Sequence, residues 1–221
     1  MARGLTRLVG ANALSGTLPS SVIANSTFDN ITALPTAVPT GKPVLLSTAT
    51  ASASASIEFT SGIDSSYDIY QFEFLNIDPA TNNARLMFNL STDNGSNYNV
   101  TKTTSYFDAY HGENGAGGVL RYVTAGDLAQ GTGDQRITDQ IGNTDGAGAA
   151  MMSLFNPSST TYVKHFLTVG VQANGDTAPT YCVTERCGGY ANTTSAVNAI
   201  IFRMDTGNIS SGTIKMYGIS A

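Results

Sequence analysis

The sequence predicts an all-β protein, an antiparallel β-sandwich of the jelly-roll type preceded by an extended N-terminal arm. Three observations carry that expectation. From Val44 onward apolar residues alternate with polar ones at period two, the spacing of strands buried on one side. Gly, Asn, Asp, Ser and Pro interrupt these runs every 8–15 residues or so, which makes about ten strands with loops of uneven length. Charged residues are only 12% of the chain, too few for the Glu- and Lys-rich faces of long amphipathic helices. Strands do not alternate with helical patterns, as a parallel sheet would require, and no fixed period marks a propeller or β-helix. Many strands with uneven loops fit a double-sheet jelly roll.

The pattern is clearest in the last stretch, 197–219. Ile200, Phe202 and Met204 share one face, and Ile201, Arg203 and Asp205 share the other. A polar loop, 206–212, follows. Ile214, Met216 and Gly218 then alternate with Lys215, Tyr217 and Ile219, so the chain is expected to end in a strand sewn into a sheet.

Residues 1–43 read differently. Single apolar residues fit neither helical nor strand period, and Pro19, Pro35, Pro39 and Pro43 break helices and central strands alike. The segment has no core of its own, yet carries too many apolar side chains for a solvated linker. It is therefore expected to be an attachment arm, with Leu5, Leu8, Val9, Leu14, Leu18, Val22, Ile23, Phe28 and Ile31 as candidate anchors on another surface. The sandwich then spans 44–221.

Within it, 44–50 and 56–61 read as strands, and the Ala/Ser stretch between them as a loop or a tightly packed edge. Tyr70, Phe72 and Phe74 share one face of a strand over 69–77, which Asp78-Pro79 ends. Leu86, Phe88 and Leu90 face inward from 85–90. Asp93-Asn94-Gly95 predicts a hairpin turn, because Asn-Gly accepts positive φ, with 98–110 as the returning strand. A Gly-rich loop over 111–118 precedes short strands at 120–123 and 136–141, separated by the loop 125–134. Strands at 150–155 and 162–171 are joined through Asn156-Pro157, and 180–184 is a further strand, with 170–180 and 186–191 as loops.

The formal net charge is −5 and no run of Lys or Arg occurs, which sets aside nucleic acid as a partner. No apolar run approaches the roughly 20 residues of a membrane helix, so no membrane partner is expected. The N-terminus lacks the apolar core of a signal peptide, and seven N-x-S/T triplets read as composition rather than glycosylation. Cys182 and Cys187 cannot complete a tetrahedral zinc site alone; they read as a local disulfide across a hairpin or as two reduced thiols. His111, near Asp108 and Glu113, has no activated nucleophile beside it, and His165 reads as a strand histidine. Asp134, Asp139, Asn143 and Asp145 lack the oxygen density of a calcium loop. No cofactor is expected, and no catalytic constellation assembles in the sequence.

Three stretches carry a resemblance. GLTRLVGANALSGTLPSSVIANSTFDNITALP (4–35) resembles the opening segment of tailed-phage virion proteins. SLFNPSSTTYVKHF (153–166) resembles a strand–turn–strand of their β-sandwich, and IIFRMDTGNISSGTIKMYGI (200–219) resembles their closing hairpin. The resemblance is to a broad group of virion structural proteins with jelly-roll domains, and it implies a non-enzymatic building block of the virion, assembled in the host cytoplasm. Within that group a single arm and a single domain favour a capsid decoration, or cement, protein. It would clip capsid subunits together through its arm, its partners being the major capsid protein or another virion protein and its own copies in a homotrimer. The alternative is a short tail-fibre, tail-adaptor or head-fibre protein that binds host-surface glycans. The loops 106–118, 125–134 and 182–190 would then carry Tyr106, Tyr110, Tyr181 and Tyr190 to stack on sugars. A carbohydrate-active enzyme is a third reading, and it needs two opposed carboxylates in a cleft.

Overall fold

A computed structural model describes residues 42–175 and 180–220. The nine candidate anchors of the arm lie outside the described residues. Twelve strands follow one another: β1 (Val44–Ser54), β2 (Ile57–Phe59), β3 (Ile69–Pro79), β4 (Leu86–Ser91), β5 (Lys102–Gly112), β6 (Gly117–Tyr122), β7 (Gln135–Arg136), β8 (Gly148–Phe155), β9 (Lys164–Asn174), β10 (Tyr181–Ala191), β11 (Ala199–Met204) and β12 (Ile209–Ile219). One sheet runs β1-β12-β3-β8-β9-β10-β5-β6 and the other β2-β11-β4-β7, with every pairing antiparallel.

Eight of these strands make a jelly roll. β1 pairs with β12, β2 with β11, β3 with β8 and β4 with β7, the nested order of one long hairpin rolled over on itself. β12 against β3 and β11 against β4 then complete two four-stranded layers. The other four strands form two inserted hairpins. β5–β6 lies between β4 and β7 in the chain, and β9–β10 between β8 and β11. They join the β8 edge in the order β9-β10-β5-β6 and double the width of the front layer.

The layers meet through the inward faces that alternation predicts. Phe202 of β11 packs edge-to-face on Phe59, Phe72 and Phe74, with ring centroids 6.1, 5.2 and 4.9 Å away. Phe88 of β4 meets Phe166 of β9 at 5.1 Å, so the inserted sheet shares this core. Ile200, Ile214, Met216, Leu86 and Leu90 fill the space between, all of them buried.

Several connections differ from expectation. Asn94 and Gly95 do take positive φ, 58° and 85°, in a turn closed by Ser96 N–H donating to the Asp93 carbonyl at 3.3 Å. The turn makes no hairpin, because β11 and β7 already occupy both edges of β4, and the chain crosses instead to the front layer. The closing pair behaves likewise. β11 sits between β2 and β4, and β12 between β1 and β3, so 205–208 crosses between layers. The segments 51–54 and 186–191, read as loops or edge from their small residues, are strand, as is Pro79 at the end of β3. The segment 137–141, expected as strand, leaves the sheet after Arg136 but still buries Ile137 and Ile141.

Candidate functional site

Insertions that a jelly roll does not need are where this chain adds something to its fold, and the inserted sheet has two distinct faces. Along β5, Lys102, Thr104, Tyr106 and Asp108 point inward; along β10, Val183, Glu185 and Cys187 do. The segment 124–139 covers this inner face. Val123 N–H donates to the Tyr106 carbonyl at 2.9 Å, Thr104 Oγ1 to Gln135 Oε1 at 2.7 Å, and Asp139 N–H to Glu185 Oε1 at 2.9 Å.

Cross-strand register places Arg121, Asp108, Glu185 and Gly170 in one row across β6, β5, β10 and β9. Arg121 donates from Nε and Nη2 to the two Asp108 oxygens at 2.8 and 2.9 Å. Glu185 is completely buried. Its Oε1 accepts from Asp139 N–H and from Gln172 Nε2, while its Oε2 has no partner. Burial pushes its carboxyl up to about 7 against the pull of those two hydrogen bonds, which favour the charged form, and the neighbouring charges of Asp139 and Asp108 act with burial.

At the upper rim the cover ends, and a cleft of about 270 Å³ opens between Tyr110, Arg121, Asp139, Asn174, Tyr181 and Val183. The rings of Tyr110 and Tyr181 meet edge-to-face at 5.6 Å, and the Arg121 guanidinium lies 5.0 Å from the Tyr110 centroid. Asp139, at the cleft wall, accepts from Arg85 Nε at 2.9 Å.

The outer face is apolar and open. Register aligns Tyr122, Phe107, Arg186, Val169 and Met151 in one row, and Leu120, Ala109, Thr184 and Val171 in the next. Leu120 is 73% exposed and Leu167 and Tyr122 are each 55% exposed, so this is a large contiguous apolar surface. A groove of about 400 Å³ on it is lined by Val119, Leu120, His111 and Cys182, among others.

Of the four tyrosines expected on exposed loops, Tyr110 and Tyr181 come together at the cleft. Tyr106 is a correction: it is completely buried in β5, its ring packed so closely on Gly126 that a Cβ there would lie 2.6 Å from it. It shares the inward parity of Tyr110 but sits two pairs deeper, beneath the cover. Tyr190 lies at the other end of β10, about 30 Å from Tyr181 at strand rise, against His165 at 6.3 Å. The loop 182–190 is itself a correction, since it is the body of β10.

Of the two readings of the cysteines, the structure rules out the disulfide and carries the reduced pair. Cys182 and Cys187 are free, one exposed and one buried. They stand five residues apart on one extended strand, about 17 Å at strand rise against a bridging limit of about 7 Å, and their odd separation puts them on opposite faces. Opposite parity likewise separates His111, on the outer face, from Asp108. Asp134 is engaged by Arg203 at 2.6 and 3.0 Å.

Sequence reasoning missed Glu185, Gln172 and the Asp108–Arg121 pair. The one signal was alternation: Tyr181, Val183, Glu185 and Cys187 keep strand parity, and a carboxylate sits at an inward position. It also missed Lys102 and Lys164, fully buried on either side of Ala191. Lys102 Nζ donates to Asn89 Oδ1 at 2.6 Å and the Val100 carbonyl at 2.8 Å; Lys164 Nζ donates to the Tyr162 and Thr193 carbonyls at 2.8 and 3.1 Å. These bonds tie β4 and the neighbouring loops to the lower end of the inserted sheet.

Fold and site together define a class, a jelly-roll sandwich whose front layer is widened by two inserted hairpins that carry a rim cleft and an open apolar face. Comparison with protein-family models, curated proteins and solved structures finds no match.

Proposed function

We propose that this chain is a structural protein of a tailed-phage virion, a capsid decoration (cement) protein that clips capsid subunits together through its N-terminal arm and associates with its own copies as a homotrimer. The resemblance of 4–35, 153–166 and 200–219 to such proteins suggests the class. The observation that carries the reading is the apolar outer face of the widened sheet, a surface of the kind that self-association covers. Binding the assembled shell in preference to its dissociated parts stabilises the shell by mass action. Each apolar arm side chain seated in a groove contributes about 1–2 kcal/mol, and fixing each residue costs about as much. Tight attachment therefore requires the arm to pair its backbone as well, by strand addition to its partner.

Deletion of 1–43 leaves all twelve described strands, β1 to β12, in place. The expected result is a soluble domain with an unchanged β circular-dichroism spectrum that no longer co-sediments with assembled particles. Undiminished co-sedimentation would remove the arm from the attachment mechanism.

The cleft favours a second reading, a tail-fibre, tail-adaptor or head-fibre protein that binds glycans. Paired tyrosine rings beside Arg121, Asp139 and Asn174 offer a stacking surface with polar groups at its edge, in a volume suited to a single sugar ring. In this reading neutral hexoses titrated by NMR shift the Tyr110 and Tyr181 resonances, and Tyr181→Ala weakens binding about tenfold, the loss of about 1.4 kcal/mol of stacking. Unchanged spectra at millimolar sugar would end it. For the enzyme reading the cleft lining carries one carboxylate, Asp139, and the pocket of about 420 Å³ beside β2 carries two, Glu58 and Asp64.

A further inference from the structure

Among the described residues, the buried side-chain polar atoms without a hydrogen-bond partner fall in one place. Tyr106 OH, Arg136 Nε, Thr168 Oγ1, Gln172 Oε1 and Glu185 Oε2 all lie where the inner face of the inserted sheet meets its cover. Register puts Tyr106 and Thr168 on either side of Cys187, with Glu185 beside Gly170 in the next row and Gln172 in the one after. Gly170 has no side chain to separate the layers. A Cβ there would lie 3.1 Å from Glu185 Oε2 and 3.0 Å from the Ile137 carbonyl, so the carboxyl and the cover crowd the same point.

We propose that Glu185 is a proton-operated latch between the inserted sheet and its cover, closed when its carboxyl is neutral and loosened when it ionises. The argument rests on what faces it. From β5 come Asp108 and Tyr106, from the cover Asp139 and Arg136, and from β9 the uncharged Thr168, Gly170 and Gln172. Arg121 of β6 is committed to Asp108, and Arg85, just before β4, is shared by Asp139 and Asp205. Arg136 is the remaining cation, and it lies 3.7 Å from Asp139.

A neutral Glu185 turns Oε2 into a donor. The set then holds Arg136 Nε and Glu185 OH as donors, Gln172 Oε1 as acceptor, and the Tyr106 and Thr168 hydroxyls, which can do either, a mixture that internal water can bridge. An ionised Glu185 adds a second fully buried negative charge beside that of Asp108, near the partly buried Asp139, and removes that donor. The reaction is a single proton transfer, Glu185–COOH to water.

The sign follows from linkage. The carboxyl is raised from 4.5 to about 7 on folding, so between these values the folded state binds more protons than the unfolded one. Stability is then highest at low pH, falls as pH rises through that window, and is level above it. The inference holds whatever the inserted sheet binds.

The test is amide hydrogen exchange on the full chain between pH 5 and 9, with intrinsic rates corrected for pH, for the native protein and Glu185→Gln. In the native protein the opening equilibrium of β5, β9, β10 and 135–139 is expected to rise by up to about tenfold per pH unit toward pH 7 and then level off. Opening of β3, β11 and β12 stays comparatively flat. Glu185→Gln, which cannot ionise, shows no such rise. An equal rise in Glu185→Gln overturns the proposal. Should that variant fail to fold, the Glu185 carboxyl carbon of the native protein decides by its NMR titration: a midpoint near 7 supports the latch, and one near 4.5 ends it.

Discussion

Replacing Phe202 by alanine is expected to cost this protein about 3–5 kcal/mol, at the upper end for a single side-chain truncation. The ring belongs to the back layer, where Phe202 pairs with Phe88 of β4 and Ile57 of β2, yet it contacts Phe72 and Phe74 of β3 in the front layer. It is completely buried. Truncation removes the apolar contact of a whole ring and leaves a cavity walled by other aromatic rings, which cannot collapse without moving strands that are paired on both sides. Its edge-to-face contacts, about 0.5–1.5 kcal/mol each, are part of that loss. For a domain of this size the melting temperature should fall by about 10 °C or more. Phe202→Leu keeps most of the volume and should cost markedly less. Urea denaturation of both variants checks the prediction. A Phe202→Ala protein as stable as the native one would mean that the two layers are not held through this ring.

The second large effect is expected at Gly212. Its φ is 130°, and it stands at an irregularity in the β12–β3 register, opposite Ala51 of β1. A Cβ there would lie 2.8 Å from the Asn76 carbonyl oxygen and 2.9 Å from the Ile77 Cα. Both are backbone atoms of β3, so relief requires displacing a central strand. Gly212→Val combines backbone strain of about 1–3 kcal/mol with overpacking of similar size. The expected outcome is an aggregated product or a denaturation midpoint far below the native one. Gly115→Val is the control. Gly115 also has positive φ, 81°, but a Cβ there meets nothing within 4 Å, so only the strain remains. Equal stability of the two variants would show that close approach of β12 to β3 does not matter.

How much of this was legible in advance can be judged from particular residues. Phe202 was placed on a buried face by alternation alone, and so were Tyr70, Phe72, Phe74, Leu86, Phe88, Leu90, Ile214 and Met216. A turn with positive φ was readable at Asn94-Gly95 because only a few residue types tolerate it. The partner of each strand was not readable. Asn94-Gly95 looked like a hairpin, and 205–208 looked like the turn of a closing pair, because a turn's local chemistry does not record whether the next strand folds back or crosses to another layer. Gly188 and Gly189 resemble loop residues, so the sequence ends β10 after Thr184, which puts Tyr190 on a loop and lets the two cysteines face each other. The candidate site was legible only in Tyr110 and Tyr181, which meet because β10 pairs with β5 along its length.

By itself the sequence determined which residues turn inward and which outward, because strand parity and turn conformation are properties of a few neighbouring residues. Tertiary structure alone decided that β5 and β10 pair although Asp108 and Glu185 lie far apart in the chain, that Glu185 is sealed beneath 124–139, and that the inserted sheet leaves one face open. Those outcomes depend on which strand edges remain free once the others have paired. Competition for edges is settled over the whole chain, so no local window of residues encodes it.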